Sequence, residues 1–429
     1  MRLLLIGICF LRRSSRRGSY LASIKLQPEA AYPYQAIGNL YFLRDPYQTD
    51  SLAFWTSQAV LLSPNWLAPY LDISSEYQNA QNDLERAEEW LLKGLIRHPK
   101  SYFALEQLSW LKQWQGKPDE SISISKEMIE IKPDLFNAYS TTAITLTIQK
   151  GEYLESEKYA SASIALETNQ WYLAQAILAL DYLRSRRAKL AVRLGDSCIV
   201  SSKTSIFDKI TLLPTLTAAL VQLECYDSAE VYFRLFDSLQ FGPPYYKTMI
   251  KMTEGRMYLQ QGMLTPAEKT LEMALLIDPT DDAIWITIWA LLGEIKAKQG
   301  QLKAAEALFK KAVSFRKIRF DENLFRDEAL FRYGKFLLKQ NRSIEAELQF
   351  LEIGKILPKS YFYGYGMALL FAKQGKCAEA LEWLEKSLDN FYPDSKSIME
   401  EPLFKKIRKT ERFKAMMLKN FPPVQPLKE

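Results

Sequence analysis

Histidine is almost missing from this chain: His98 is the one imidazole in 429 residues. A zinc cage built on imidazoles is therefore excluded, and a Ser–His or Cys–His nucleophile pair has only one residue to draw on. His98 precedes Pro99 at the end of an apolar helical pattern, where it reads as a surface helix-terminal residue. Cysteine is also scarce. Cys9, Cys198, Cys225 and Cys377 stand far apart and form no paired motif, which reads as reduced thiols in the cytoplasm. No phosphate-cradling glycine loop is present, because Gly354, Gly364 and Gly366 are scattered through helical contexts. These absences together predict no enzyme, no metal and no cofactor.

Other absences bound the architecture. No Gly/Ser or Pro stretch is long enough to separate domains, and alternating strand-like runs are missing. The apolar run at residues 3–11 is too short to span a bilayer. Most of the positive charge near it follows rather than precedes it, and a small-residue cleavage site is missing, so a signal peptide is not expected. The pattern around Gly7 and Phe10 reads instead as part of a repeat helix. Charge of one sign is not in excess. The 56 basic and 50 acidic residues leave +6, spread too thinly to call for a polyanionic partner. What the chain does have is 48% hydrophobic and 13% aromatic residues, enough for a continuous buried seam.

The most informative segment runs from Gly255 to Pro279. Gly255 sits mid-helix, where a hydrogen lets a second helix approach closely. Tyr258 lies one turn on along the same face. Gly262 suits the left-handed end of a helix, and Thr265 with Pro266 suits the start of the next. Ala267, Leu271 and Ala274 form one stripe, and Pro279 stops the helix. The pattern recurs at Trp289, Leu292, Gly293, Gly300, Ala305, Phe309 and Ala312. It returns at Gly334, Leu337, Ala346, Phe350 and Pro358, with Asn341 in place of the turn glycine, and again at Ala368, Phe371, Gly375, Ala380 and Leu384. Upstream, Pro28, Pro64, Pro99 and Pro133 keep the same phase, and Gly38 with Tyr41 gives a further match. Residues 171–239 fit poorly, with Pro214 inside an apolar helix.

This spacing resembles the tetratricopeptide (TPR) repeat, a helix–turn–helix unit of about 34 residues that cannot bury its apolar face alone. The resemblance covers most of the chain. It implies an all-α, right-handed superhelix, an α-solenoid of about ten or eleven helix pairs with a C-terminal capping helix. The organisation expected is a partial repeat at 1–28, an N-terminal array at 29–170, degenerate pairs at 171–242, a C-terminal array at 243–390, and a cap and tail at 391–429.

The family likeness also implies a non-catalytic scaffold that binds a protein or peptide along its concave groove, lined by the first helix of each pair. The positions three before and one after the mid-helix glycine become the peptide-binding candidates. They are Gln35 and Asn39, Met252 and Arg256, Ala290 and Glu294, Phe331 and Lys335, and Tyr365 and Leu369. Mixed aromatic, apolar and charged, they suit an extended peptide or partner helix, with Phe331 and Tyr365 as the expected anchors. A Lys/Asn/Arg carboxylate clamp is not evident. Residues Phe404–Lys419 carry seven basic side chains and one acidic. They read as a capping helix with a stripe of Phe404, Ile407 and Met417 or Leu418, ahead of contact with nucleic acid or membrane. That segment also resembles the close of TPR regions in bacterial multidomain signalling proteins, which makes a regulatory or sensor role the second expectation. An envelope-associated assembly role is the third. A carboxylate-only enzyme would require at minimum a buried acidic pair in the groove.

Overall fold

The computed structural model describes residues 16–42, 49–166, 173–201, 206–238, 243–277, 283–315 and 322–422. The expectations at Gly7, Cys9, Phe10 and Pro279 fall outside them. Among the described residues the chain is helical throughout, with no strand. Its contacts divide it into two compact units, residues 1–141 and 142–429.

Unit 1 opens with α1 (16–26), followed by α2 (Ala31–Phe42), α3 (Thr49–Leu62), α4 (Ala68–Glu76), α5 (Leu84–Arg97), α6 (Tyr102–Trp114) and α7 (Pro118–Ile131). Helix α2 packs on α3, α4 on α5 and α6 on α7. The proline phasing has a physical basis here. Tyr34, Tyr70 and Tyr139 each donate their hydroxyl to the carbonyl of the proline six residues earlier, Pro28, Pro64 and Pro133, at 3.0 Å. Where alanine is usual on the buried stripe, unit 1 carries serines whose hydroxyls find partners. Ser74 donates to the Ala87 carbonyl at 2.8 Å, and Ser109 meets Ser121 at 2.9 Å and Ser125 at 3.2 Å. A buried hydroxyl costs little once bonded, so the close helix approach survives.

Helix α8 (Phe136–Thr145) leads into unit 2, which contains α9 (Tyr153–Leu166), α10 (Leu173–Arg184), α11 (Ala188–Val200), α12 (Ile206–Gln222) and α13 (Tyr226–Ser238). Then come α14 (Pro244–Gln260), α15 (Leu264–Ile277), α16 (Ile284–Lys298), α17 (Leu302–Ser314), α18 (Glu322–Lys339), α19 (Ser343–Ile356), α20 (Tyr361–Lys373) and α21 (Cys377–Asp389). The last two helices are α22 (Ser395–Glu400) and α23 (Glu411–Asn420). From α10 to α21 the helices pack as consecutive pairs. Leu271 lies over Gly255, where an added Cβ would meet its Cγ at 2.6 Å, and Ala267, Leu271 and Ala274 are fully buried. Ala305, Phe309 and Ala312 on α17, and Ala346 and Phe350 on α19, occupy the same register and are buried alike.

Among the described residues, each turn inside a pair carries one left-handed residue. Glycine fills that position at Gly116, Gly151, Gly262, Gly300 and Gly375, with φ between 66° and 78°. The turns close with the six-residue bond of a Schellman motif, as in Met263 N to Tyr258 O at 2.8 Å and Gln301 N to Lys296 O at 2.9 Å. Asn341 takes that place with φ 61°. Thr265 does not cap α15. The helix begins at Leu264, and the Met263 carbonyl accepts from Ala267 N at 3.0 Å.

The basic C-terminal segment is not one helix. Pro402–Phe404 and Ile407–Lys409 form two short 3-10 turns, and α23 starts only where Thr410 accepts a hydrogen bond from Phe413 N at 3.2 Å. The break re-aims the stripe. Phe404, Ile407, Phe413 and Met416 are buried, whereas Leu418 is 61% exposed.

Candidate functional site

The first helices of the unit 2 pairs bring several of the candidates together. Arg256 on α14, Glu294 on α16 and Lys335 on α18 join a network that includes two residues the glycine-offset rule missed, Glu328 and Arg332. Arg256 Nη2 donates to Glu328 Oε2 at 2.8 Å. Arg332 donates from Nε and Nη2 to Glu328 Oε1 at 2.9 and 2.7 Å, and from Nη1 to Glu294. Lys298 lies 3.3 Å from Glu294, and Lys335 lies 3.6 Å from Glu401. The sequence signal was available: Glu328 and Arg332 are an i, i+4 pair on one helix face.

Electrostatics follow from this packing. Burial pushes the Glu328 carboxyl up, but the Arg256 and Arg332 guanidiniums overcome it and hold the group at about 2. Next to it, Asp327 is raised to about 6 by burial, against the opposing charge of Arg184 and a hydrogen bond from Ser360. The buried acidic pair that a carboxylate enzyme would require is thus present. Its oxygens are all engaged, however. Glu328 N and Ser360 Oγ each donate to Asp327 at 2.7 Å, and the two arginines take both Glu328 oxygens.

The aromatic candidates have a different place. Tyr365 is fully buried, stacked on Tyr392 at 4.2 Å and edge-on to Phe404 at 5.7 Å. Phe331 is 7% exposed and stacks on Phe362 at 4.8 Å. Tyr365 lies against the segment after α21, and Phe331 packs among Phe350, Phe362 and Tyr365, so the two rings are part of the core. Met252 and Ala290 are buried as well, and Trp289 is 4% exposed beneath the Lys311 ammonium at 4.2 Å. In unit 1, Gln35 donates to Asp72 at 2.6 Å, and the exposed Asn39 bonds the same carboxyl, which burial raises. His98 bonds the Asn65 carbonyl at 2.8 Å through Nε2.

Two candidates, Lys335 and Leu369, line a half-open cavity of about 420 Å³ between α18, α20 and the α22 region. Leu338 and Leu403 add apolar wall, and the exposed Lys339 and Lys373 line the cavity together with Glu400 and Glu401. Lys339 and Lys373 have no carboxylate partner among the described residues. No group of three or more His, Cys, Asp or Glu side chains suited to holding a metal occurs among the described residues. No helix among them is long and apolar enough to cross a membrane.

Residues 286–318 match the family model of the tetratricopeptide repeat. That match spans α16 and α17 with their turn at Gly300. A TPR protein from Parabacteroides merdae aligns at 18% identity over 62% of this chain and 98% of its own, with a TM-score of 0.47. Human IFIT1, solved as a dimer with m7Gppp-AAAA, aligns at 13% identity over 88% and 94%, TM-score 0.47. Yeast Tom70 aligns at 13% identity over 89% and 90%, TM-score 0.43. No curated protein matches the chain.

Proposed function

We propose that this tetratricopeptide-repeat protein is a non-catalytic cytoplasmic scaffold, and that the inner face of its unit 2 captures a segment of a partner protein. The observation that carries the reading is the cavity holding Lys335 and Leu369. It joins apolar wall to Lys339 and Lys373, which have no carboxylate partner among the described residues, a combination that suits an acidic segment with an apolar side chain. Arg256, Glu294 and Arg332 next to it are tied into a fixed network. They set the charge pattern of the face, which orients a partner more than it adds affinity. Full engagement of the Asp327 and Glu328 oxygens speaks for scaffolding over acid–base chemistry. A proton-transfer group has to reach its substrate within hydrogen-bond distance.

The test is a capture assay with the double variant Lys339→Glu, Lys373→Glu. Both side chains are exposed, so the helical circular-dichroism signal stays unchanged. Partner capture by this variant falls about tenfold or more, the order expected from reversing two lining charges. Unchanged capture would remove the cavity from the reading.

A further inference from the structure

The two ends of unit 2 meet each other. Across this seam the left-handed turn position carries functional side chains instead of glycine. Arg186 closes the α10–α11 turn at φ 60°, a conformation that costs an L-residue energy and that glycine adopts freely. Its guanidinium reaches more than 200 residues along the chain. Nη2 donates to the Leu388 carbonyl at 2.7 Å and to Asn420 Oδ1 at 3.0 Å, and Nη1 donates to the Asn420 carbonyl at 3.4 Å. The same group lies over the rings of Phe391, at 5.6 Å, and Phe421, at 5.3 Å. Phe391 is itself left-handed, with φ 70°. A third such residue, Glu224 at φ 58°, lies 4.0 Å from Lys396 on α22. Two more bonds cross the seam: Lys359 to Glu152 at 2.9 Å, and Arg184 Nη1 to the Tyr361 hydroxyl at 3.5 Å.

We infer that Arg186 is a latch. It holds the α10–α11 pair against the α21–α23 end, so that unit 2 is a closed array with one seam able to open. A residue kept in a sparsely populated backbone region points to a role the surroundings enforce. Here three of the five left-handed non-glycine residues among the described residues sit on this single seam. Arginine suits the task because its planar fork bonds two helix-end carbonyls and a side-chain amide oxygen at once while stacking on aromatic faces. Those carbonyls, Leu388 and Asn420, lie at the ends of α21 and α23, where positive charge is favoured.

The substitution Arg186→Gly separates this role from that of a local turn. Were the turn purely local, glycine would relieve the left-handed backbone and raise Tm. The latch predicts the opposite sign: Tm falls, although the backbone is more comfortable. Amide exchange in the α10–α11 turn and in α23 speeds up together by roughly tenfold, the loss expected when a charged hydrogen-bonding group is removed. The radius of gyration in solution also grows. Asn420→Ala provides the same test from the other end without touching the turn, and decides the matter should Arg186→Gly not fold. It speeds exchange at the α10–α11 turn as well as in α23. A raised Tm for Arg186→Gly, or acceleration confined to α23 in Asn420→Ala, would overturn the inference.

Discussion

Asp181 has a chemistry that its sequence appearance does not show. It sits in a helix, fully buried, and burial raises its carboxyl to about 7 against a hydrogen bond from Thr147. The hydroxyls beside it run from Thr147, 2.6 Å from Asp181 Oδ1, to Ser156 at 2.7 Å and on to the Ala143 carbonyl at 3.0 Å. Thr147 donates to the Asp181 carboxyl, and Ser156 donates to the Ala143 carbonyl. The linkage sign follows. A raised pKa means that the folded state holds a proton the unfolded chain has released, so the stability this provides is complete below pH 3.8 and is lost as pH rises towards 7. Asp327 acts in the same direction, whereas Glu328 loses its contribution as pH falls from 4.5 towards 2. Asp181→Asn keeps the neutral shape and removes the titration. Its Tm against pH is flatter than that of the wild type between pH 4 and 7, and it is the more stable protein at pH 8, by up to a few kcal/mol. A parallel pair of profiles from thermal melts would contradict this assignment. Gly364 gives a second residue-scale prediction. A Cβ there would meet the Ser387 backbone nitrogen at 2.7 Å, so Gly364→Ala pushes α21 off α20 and costs about 1–3 kcal/mol in denaturant unfolding.

Between elements, one contact recurs and explains how successive pairs stay in register. Lys112 and Gln115 on α6 and its turn both bond Glu88 on α5, at 2.7 and 2.8 Å. In unit 2, Lys296 and Gln299 on α16 and its turn both bond Glu268 on α15, with the glutamine at 2.8 Å. Arg342, after α18, bonds Glu306 on α17 at 2.9 Å. The second helix of one pair is thereby fastened to the first helix of the next. The Lys296 pair is partly shielded, so Glu268→Gln costs about 1 kcal/mol, and Lys296→Met adds little on top of it. Full additivity in a double-mutant cycle would show that the two do not act as a pair. The helix pairs themselves were legible in the sequence, because the contacts that form them are local. Gly255 under Leu271 and the prolines six residues before their tyrosines are short-range patterns. The fate of Phe331 and Tyr365 was not legible. They satisfy the groove rule, but Tyr392 and Phe404 cover Tyr365, and Phe350 and Phe362 pack on Phe331, so both belong to the core. Arg186 was hidden for the same reason, since its partners lie some two hundred residues away in sequence.

At the scale of the molecule, the proposed scaffold function rests on which surface of the repeat array stays open once its own chain has covered the rest. Unit 2 ties Arg256, Glu328, Arg332 and Glu294 to one another and packs Phe331, Phe362, Tyr365 and Tyr392 into an aromatic layer. The cavity between α18, α20 and the α22 region stays open, with Lys339 and Lys373 in its lining. Repeat arrays bind through extended inner surfaces of this kind. The most direct measurement places a photoreactive side chain at position 339, and a control at Leu276, which is 81% exposed on the second helix of its pair. Both proteins are cross-linked in the presence of the captured partner, and the adducts are mapped by mass spectrometry. The scaffold reading predicts an acidic partner segment joined at position 339 and little or none at 276. Equal labelling at both positions, or labelling at 276 alone, would contradict it.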